Sequence, residues 1–494
     1  MTELPFIPAT PALAILVSLV AVPLIYLSGR RPNLREGWTL LAAGLKFLLI
    51  LSMAQWILAG NTHTYELIRI LPGLSLSLTV DGFGMLFGLV ASSLWIITSV
   101  YSIGYMRGLN EHAQTRFFAC FAVALAATVG VAFAGNLFTL YVFYEILSLS
   151  TYPLVTHHQD KEARGGGRKY LTYLLSTSIG LALPAMLITY HLTGTLEFSS
   201  MGIFPADTAK PLLTILLLMF MFGFSKAGMM PFHSWLPGAM VAPTPVSALL
   251  HAVAVVKVGV FSVVRVITGI FGIDLLTATS LNTLICLVAG FTVITSSLIA
   301  LSQDNLKRRL AFSTIGQLSY IILGAGVAST LAVQGSMLHI AMHAFGKITL
   351  FFCAGAIFVA TGKKYISEMV GIGRRMPVTM IAFFVGSLSV IGLPPAGGLI
   401  SKWYMVLGAM QADMLWVMVI YLISSFLNAA YFLPIVYRAF FCRSEEALFE
   451  NKVAEAPWRC VVPLALTALI SIMLFFFSYP FFELAAVAVQ GSGQ

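Results

Sequence analysis

The chain has 494 residues, of which 59% are hydrophobic and 10% charged, and its mean hydropathy is +0.92. That balance excludes a soluble globular domain, a disordered chain, a nucleic-acid-binding protein and a disulfide scaffold. The net charge of +9 does not imply an acidic partner, because the basic residues fall on one side of a predicted membrane. Cys120, Cys286, Cys353, Cys442 and Cys460 are scattered with no CxxC pair. They predict neither an iron–sulfur or metal site nor a disulfide framework.

A helix needs about 20 apolar residues to cross the hydrocarbon core. About fourteen such segments are expected, near 6–28, 38–58, 79–103, 116–134, 137–157, 169–192, 211–230, 243–272, 278–301, 309–328, 334–361, 376–411, 415–440 and 460–482. No Lys or Arg precedes the first apolar run and no A-x-A site follows it, so a signal peptide is not expected. With the N-terminus outside, alternate loops are cytoplasmic. They collect Arg30, Arg31, Arg35, Arg107, Arg116, Lys161, Arg164, Arg168, Lys169, Lys307, Arg308, Arg309, Lys363, Lys364, Arg374, Arg375, Arg438, Arg443, Lys452 and Arg459. The opposite loops hold only Arg69 and Lys210. A missed or extra span would scramble this split, so both termini are expected outside.

The remaining basic residues, Lys46, Lys226, Lys257, Arg265, Lys347 and Lys402, fall inside predicted spans. Glu145 is the acid that lies deep within one, and Asp81 begins another. An intramembrane charge costs at least about 2.5–3.5 kcal/mol and normally faces a partner or a water-filled path. One central acid cannot neutralise six cations, so some lysines are expected to be hydrated or deprotonated, as in a proton relay. Lys46 and Arg265 admit a second reading, in which they snorkel to a headgroup layer.

Two spans carry helix breakers beside a lysine: Gly223 to Gly228, followed by Pro231, around Lys226, and Gly392 to Gly398, with Pro394 and Pro395, before Lys402. Interrupted backbone at membrane depth survives where it is buried in protein or lines a cavity. Paired interruptions point to two inverted repeats, helices 4–8 and 9–13, with Lys226 and Lys402 in equivalent places. His339, His343 and Lys347 follow an i, i+4, i+8 spacing on one helix face, spanning about 12 Å. A proton path is favoured there over a metal site, since no further ligand cluster is visible. His251 and Lys257 do not share a face and lie about 9 Å apart along the axis. Ser313, Gln317 and Tyr320 form a polar stripe suited to helix–helix hydrogen bonding. Other signals are weak: Gly165-Gly166-Gly167 is a flexible turn, His157 and His158 are solvated loop residues, and His233 lines or caps the broken helix.

The stretch FSKAGMMPFHSWLPGAMVAPTP from Phe224 to Pro245, continuing VSALLHAVAVVKVGVFSVVR, is far more specific than hydropathy. With YEILSLSTYPLV around Glu145 and DNLKRRLAFSTIGQLSY from Asp304 to Tyr320, it resembles the antiporter-like subunits of respiratory complex I, membrane-bound hydrogenases and Mrp-type multisubunit cation/proton antiporters. The likeness runs from DGFGMLFG at Asp81 to the basic loop near Arg443. It implies an ion pair between Glu145 and Lys226, a connecting Lys257, a His339/His343/Lys347 link, and an exit lysine at Lys402. On that reading Lys226 holds its proton while paired and passes it towards Lys257 on separation. His251 joins as a further relay.

Within the family, Lys402 and Gly238 resemble the D-type subunit of a Na+(cation)/H+ antiporter; the alternative is a proton-pumping subunit of a redox complex. The expected fold is an all-α integral membrane protein of about 14 transmembrane helices with helices 7 and 12 broken. The expected divisions are 1–112, 113–273 (first repeat), 274–443 (second repeat) and 444–494. No cofactor, resident metal or redox site of its own is expected. Partners are other membrane subunits, protons, Na+ and the lipid bilayer of a prokaryotic plasma membrane.

Overall fold

The structure, a computed structural model, describes residues 8–71, 73–442 and 453–490; the expected loop residues Arg443 and Lys452 lie outside these. Helices α1 (Thr10–Leu27) and α2 (Pro32–Leu58) lead into an antiparallel hairpin, β1 (His63–Leu71) and β2 (Leu74–Val80). Next come α3 (Gly82–Gly108), α4 (Gln114–Ala132), α5 (Leu137–Val155), α6 (Lys161–Thr193), α7 (Lys210–Gly223) and α8 (Thr244–Phe271). The second half comprises α9 (Leu281–Ser302), α10 (Leu306–Gly326), α11 (Thr330–Thr361), α12 (Pro377–Ile391), α13 (Gly398–Gln411) and α14 (Leu415–Phe441). Helices α15 (Trp458–Phe476) and α16 (Tyr479–Gln490) close the chain.

Local chemistry sets the boundaries. Asp81, Asn136, Asp160, Asn305 and Ser329 each accept a backbone N–H in the first turn of the helix they precede, capping α3, α5, α6, α10 and α11. Helix α12 ends at Gly392, whose φ of +89° lies in the left-handed region and stops the helix where a side chain would be strained.

Burial is distributed as lipid demands rather than as water does. Leu16, Val20, Leu48, Leu187, Phe291, Leu422, Phe426 and Leu469 are exposed on the outer faces of α1, α2, α6, α9, α14 and α15. The polar groups of α8, α10 and α11 are buried inside the bundle instead. Eleven helices among the described residues are long and apolar enough to cross a membrane, and α7, α12 and α16 are shorter apolar ones. Helix α10 is enclosed by protein along nearly its whole length, which is why it can carry Ser313, Gln317 and Tyr320.

The loops sort into two ends. At one, the basic segments touch: Arg35 reaches Gln114, Arg107 pairs with Glu36, Arg116 donates to the carbonyl of His157, and Lys307 donates to that of Ala242. At the other, Arg265 pairs with Asp81 at 2.5 Å and Asn136 joins Ser75 to Glu197.

Each expected segment is occupied by a helix, with four differences. The hairpin at 63–80 departs from an all-α expectation; Leu74 to Val80 alternates apolar and polar residues, a strand period. The twelfth segment is two helices, α12 and α13. The C-terminal segment is also two, because the chain turns between Phe477 and Ser478. Finally, Lys46 and Arg265 do not snorkel. Lys46 is fully buried and donates to the Leu125 carbonyl at 2.9 Å, and Arg265 is tied to Asp81.

Candidate functional site: a buried row of lysines and histidines

Helix α7 stops at Gly223, and a single 3-10 turn, Ser225–Ala227, presents Lys226 to the interior. Lys226 is fully buried. Its ammonium donates to the Tyr144 carbonyl at 2.9 Å and to Ser148 Oγ at 2.6 Å, both on α5, and sits 3.0 Å from the Tyr144 ring centroid. Helix α8 presses against this turn. A Cβ at Gly259 would lie 2.1 Å from the Ala227 nitrogen, so only glycine permits the approach.

The anticipated Glu145–Lys226 ion pair is not closed in this structure. Neither carboxylate oxygen of Glu145 has a hydrogen-bond partner. Tyr144 and Ser148 share the α5 face turned to Lys226; Glu145, one residue on from Tyr144, is rotated about 100° from it. The two charges share a helix neighbourhood without contact.

Helix α8 is itself interrupted. Residues Leu249–Val253 form a π turn carrying His251; such turns are frequent at functional sites. Both ring nitrogens of His251 are buried without a partner, beside the Phe351 ring at 4.9 Å. Beyond it, Lys257 Nζ lies 2.5 Å from His343 Nδ1 on α11. A hydrogen bond between two nitrogen bases needs one donor and one acceptor, so at least one member lacks a proton. His343 Nε2 has no partner, and its ring lies 5.7 Å from that of His339.

His339 is held on both sides. Nδ1 meets Ser401 Oγ at 2.8 Å and Nε2 meets Gln317 Oε1 at 3.1 Å. Ser401 Oγ also reaches the Gly398 carbonyl at 3.2 Å. A hydroxyl can donate or accept. When His339 is neutral, Ser401 donates to Nδ1; when it is protonated, Nδ1 donates to Ser401, which turns its hydrogen to Gly398. The site therefore satisfies both protonation states with the same heavy-atom positions.

Lys402 follows Ser401 on α13. Its ammonium donates to the carbonyls of Val390 and Ile391 at 2.8 and 3.0 Å, near the C-terminal end of α12 where carbonyls lack helical partners. The Tyr320 ring lies 4.5 Å away. Lys226 sits before Pro231 within its break, whereas Lys402 sits one turn after its own. Lys347, two turns beyond His339, is fully buried with no hydrogen-bond partner, near the Phe432 ring at 5.6 Å. Buried polar atoms left unpaired cost free energy unless water or a proton reaches them. Glu145, His251, His343 and Lys347 all carry such atoms.

Sequence reasoning missed Tyr144, Ser148 and Ser401, since nothing in a linear pattern pairs them with distant lysines and a histidine. It did single out Gln317. The polar stripe crosses between helices as anticipated: Tyr431 donates to Ser313 at 2.9 Å, and Tyr320 to the Tyr421 carbonyl at 3.1 Å. His233 is half-buried after the α7 break, 6.3 Å from the Phe312 ring.

Two interrupted spans around an internal row of ionisable groups define a multi-pass membrane protein of the antiporter-like class. Residues 134–428 match the model of the NADH:quinone oxidoreductase/Mrp antiporter transmembrane family, and the chain belongs to that family. It is 34% identical to NADH-quinone oxidoreductase subunit N of Desulforudis audaxviator over 412 residues, covering 81% of this chain and 80% of that one. It is 30% identical to a Na(+)/H(+) antiporter subunit of Alkalihalophilus pseudofirmus, covering 95% of this chain but only 61% of that longer relative. The fold superposes on a chain of an archaeal membrane-bound sulfane sulfur reductase with a TM-score of 0.87 at 24% identity, covering 97% of each. It superposes on a chain of the Mrp complex from Dietzia sp. DQ12-45-1b with a TM-score of 0.86 at 18% identity, covering 99% of this chain and 97% of that one.

Proposed function

We propose that this chain is a proton-translocating subunit of a multisubunit Na+(cation)/H+ antiporter, of the D type, in a prokaryotic plasma membrane. Its termini lie outside, and it works alongside other membrane subunits. The observation that carries the reading is the run Lys257–His343–His339–Ser401–Lys402, which crosses from α8 through α11 to α13 inside the bundle. In this reading Glu145 sets the charge state of Lys226 across a variable distance, Lys257 receives the proton, His251 and Lys347 hydrate the path, and Lys402 releases it. The divisions 1–112, 113–273, 274–443 and 444–494 separate entry helices, two inverted repeats and a C-terminal element.

A second reading is a proton-pumping subunit of a redox complex, with electron transfer confined to partner subunits. It is favoured by the subunit N relative, whose length this chain matches over 80%. Gentle purification of the complex through this chain, followed by mass spectrometry of its partners, separates the two. Small hydrophobic subunits without redox proteins support the antiporter. Partners bearing flavin, nickel or iron–sulfur sites overturn it in favour of the pump.

A further inference from the structure

At the basic end of the bundle, four metal-ligating side chains meet outside the proton row. The turn between α3 and α4 contributes Glu111 and His112; the end of α5 contributes His157 and His158. Among the described residues, Glu111, His112 and His157 each offer a ligand atom, all within 4.8 Å of one another. One carboxylate oxygen of Glu111 lies 3.6 Å from His157 Nε2 and 3.6 Å from His158 Nδ1. The His112 ring is 4.7 Å from that of His157.

The independent observation is His157 itself. It is fully buried, yet neither ring nitrogen has a hydrogen-bond partner. An imidazole buried this way is uncompensated by about 1–3 kcal/mol. Solvation does not explain it, and a solvated loop role for His157 is ruled out by its burial. Its neighbours are a carboxylate and two further imidazoles, the ligand chemistry of zinc. Arg116, the nearby cation, is turned to the main-chain carbonyl of His157 at 3.1 Å rather than to the ring.

We propose that Glu111, His112 and His157, with His158 as fourth ligand, form a divalent zinc site joining the α3–α4 turn to the end of α5. Tetrahedral ligands at about 2.0–2.1 Å from zinc lie about 3.4 Å apart. The Glu111–His157 and Glu111–His158 separations of 3.6 Å are close to that already. His112 is exposed on its turn and is free to rotate the rest of the way. Because α5 also carries Tyr144, Glu145 and Ser148, the ion ties that helix to its neighbour at the end remote from the α5 N-cap.

The test uses the full chain, purified in detergent, freed of any affinity tag and stripped with EDTA. Zn2+ is titrated against a chromogenic chelator, and the bound ion is read by X-ray absorption at the zinc edge. One equivalent is expected, with imidazole and carboxylate ligands at about 2.0 Å. His157→Ala and Glu111→Gln each weaken binding about tenfold or more. His112→Ala, at an exposed position, keeps the test valid if burial makes His157 variants unstable. His191→Ala, on α6, leaves binding unchanged. Absence of a stoichiometric ion, or binding insensitive to His157, Glu111 and His112, overturns the site.

Discussion

Ser401 is the hydroxyl that lets His339 change protonation without losing a hydrogen bond. Ser401→Ala leaves His339 Nδ1 unpaired, a cost of about 1–3 kcal/mol. A barrier raised by about 1.4 kcal/mol slows a step tenfold. Proton flux through the reconstituted complex is therefore expected to fall about tenfold in Ser401→Ala and to recover in Ser401→Thr, which keeps the hydroxyl. Equal flux in Ser401→Ala and wild type counts against the relay. Lys402→Glu is milder: a carboxylate is repelled by the Val390 and Ile391 carbonyls, yet it still exchanges protons, so partial flux is expected. At this scale the sequence exposes the charged groups and hides their partners. Lys226, Lys257, Lys347 and Lys402 stand out because a cation in an apolar run is costly. Tyr144 and Ser148, which receive the Lys226 ammonium, look like ordinary helix residues until α5 and the α7 break are brought together. The open Glu145–Lys226 pair has the same origin, since which face of α5 meets Lys226 is set by packing.

The broken spans are held by close packing as much as by their prolines. Gly259 faces the backbone of the Lys226 turn, where an added Cβ meets the Ala227 nitrogen at 2.1 Å and the Lys226 carbonyl carbon at 2.2 Å. Backbone atoms cannot rotate away. Gly259→Ala is expected to cost about 1–3 kcal/mol, read as a lower Tm of the purified protein, and to move Lys226 relative to α8. An unchanged Tm contradicts the packing. At the opposite edge, Asp81 both caps α3 and pairs with Arg265. Asp81→Ala removes the cap, worth about 1 kcal/mol, and strands the guanidinium as well. Its loss of stability is expected to exceed that of Asn136→Ala, which also removes a cap but strands no charge. Helix positions were legible because apolar runs, prolines and capping residues coincide. The hairpin was obscured by the surrounding hydropathy, although Leu74 to Val80 carries the two-residue period in plain view. The π turn at His251 has no sequence signature of its own, and it alters which face His251 shows relative to Lys257.

Over the whole molecule, lipid-facing leucines and phenylalanines enclose a polar interior, and the polar interior is one connected row rather than isolated pairs. That arrangement suits a conductor of protons better than a scaffold, whose buried polar groups need only satisfy one another. Here Glu145, His251 and Lys347 retain polar atoms with no protein partner. The basic loops named from the sequence meet at one end of the bundle, which the alternation of charge had anticipated. The family was legible too, because the 224–245 stretch encodes the break, the lysine and the following helix together. The choice between antiporter and redox pump was not, since it resides in the partners this chain assembles with.

The most direct measurement is proton movement, followed with a pH-sensitive dye, in proteoliposomes holding the assembled complex with Lys257→Ala beside wild type. Lys257 makes the short contact to His343 and is absent from the lipid-facing surface. Proton flux is expected to fall by about tenfold or more, as for loss of a positioned proton-transfer group, with the subunits still assembled. Wild-type flux from a fully assembled Lys257→Ala complex contradicts a proton path through this row.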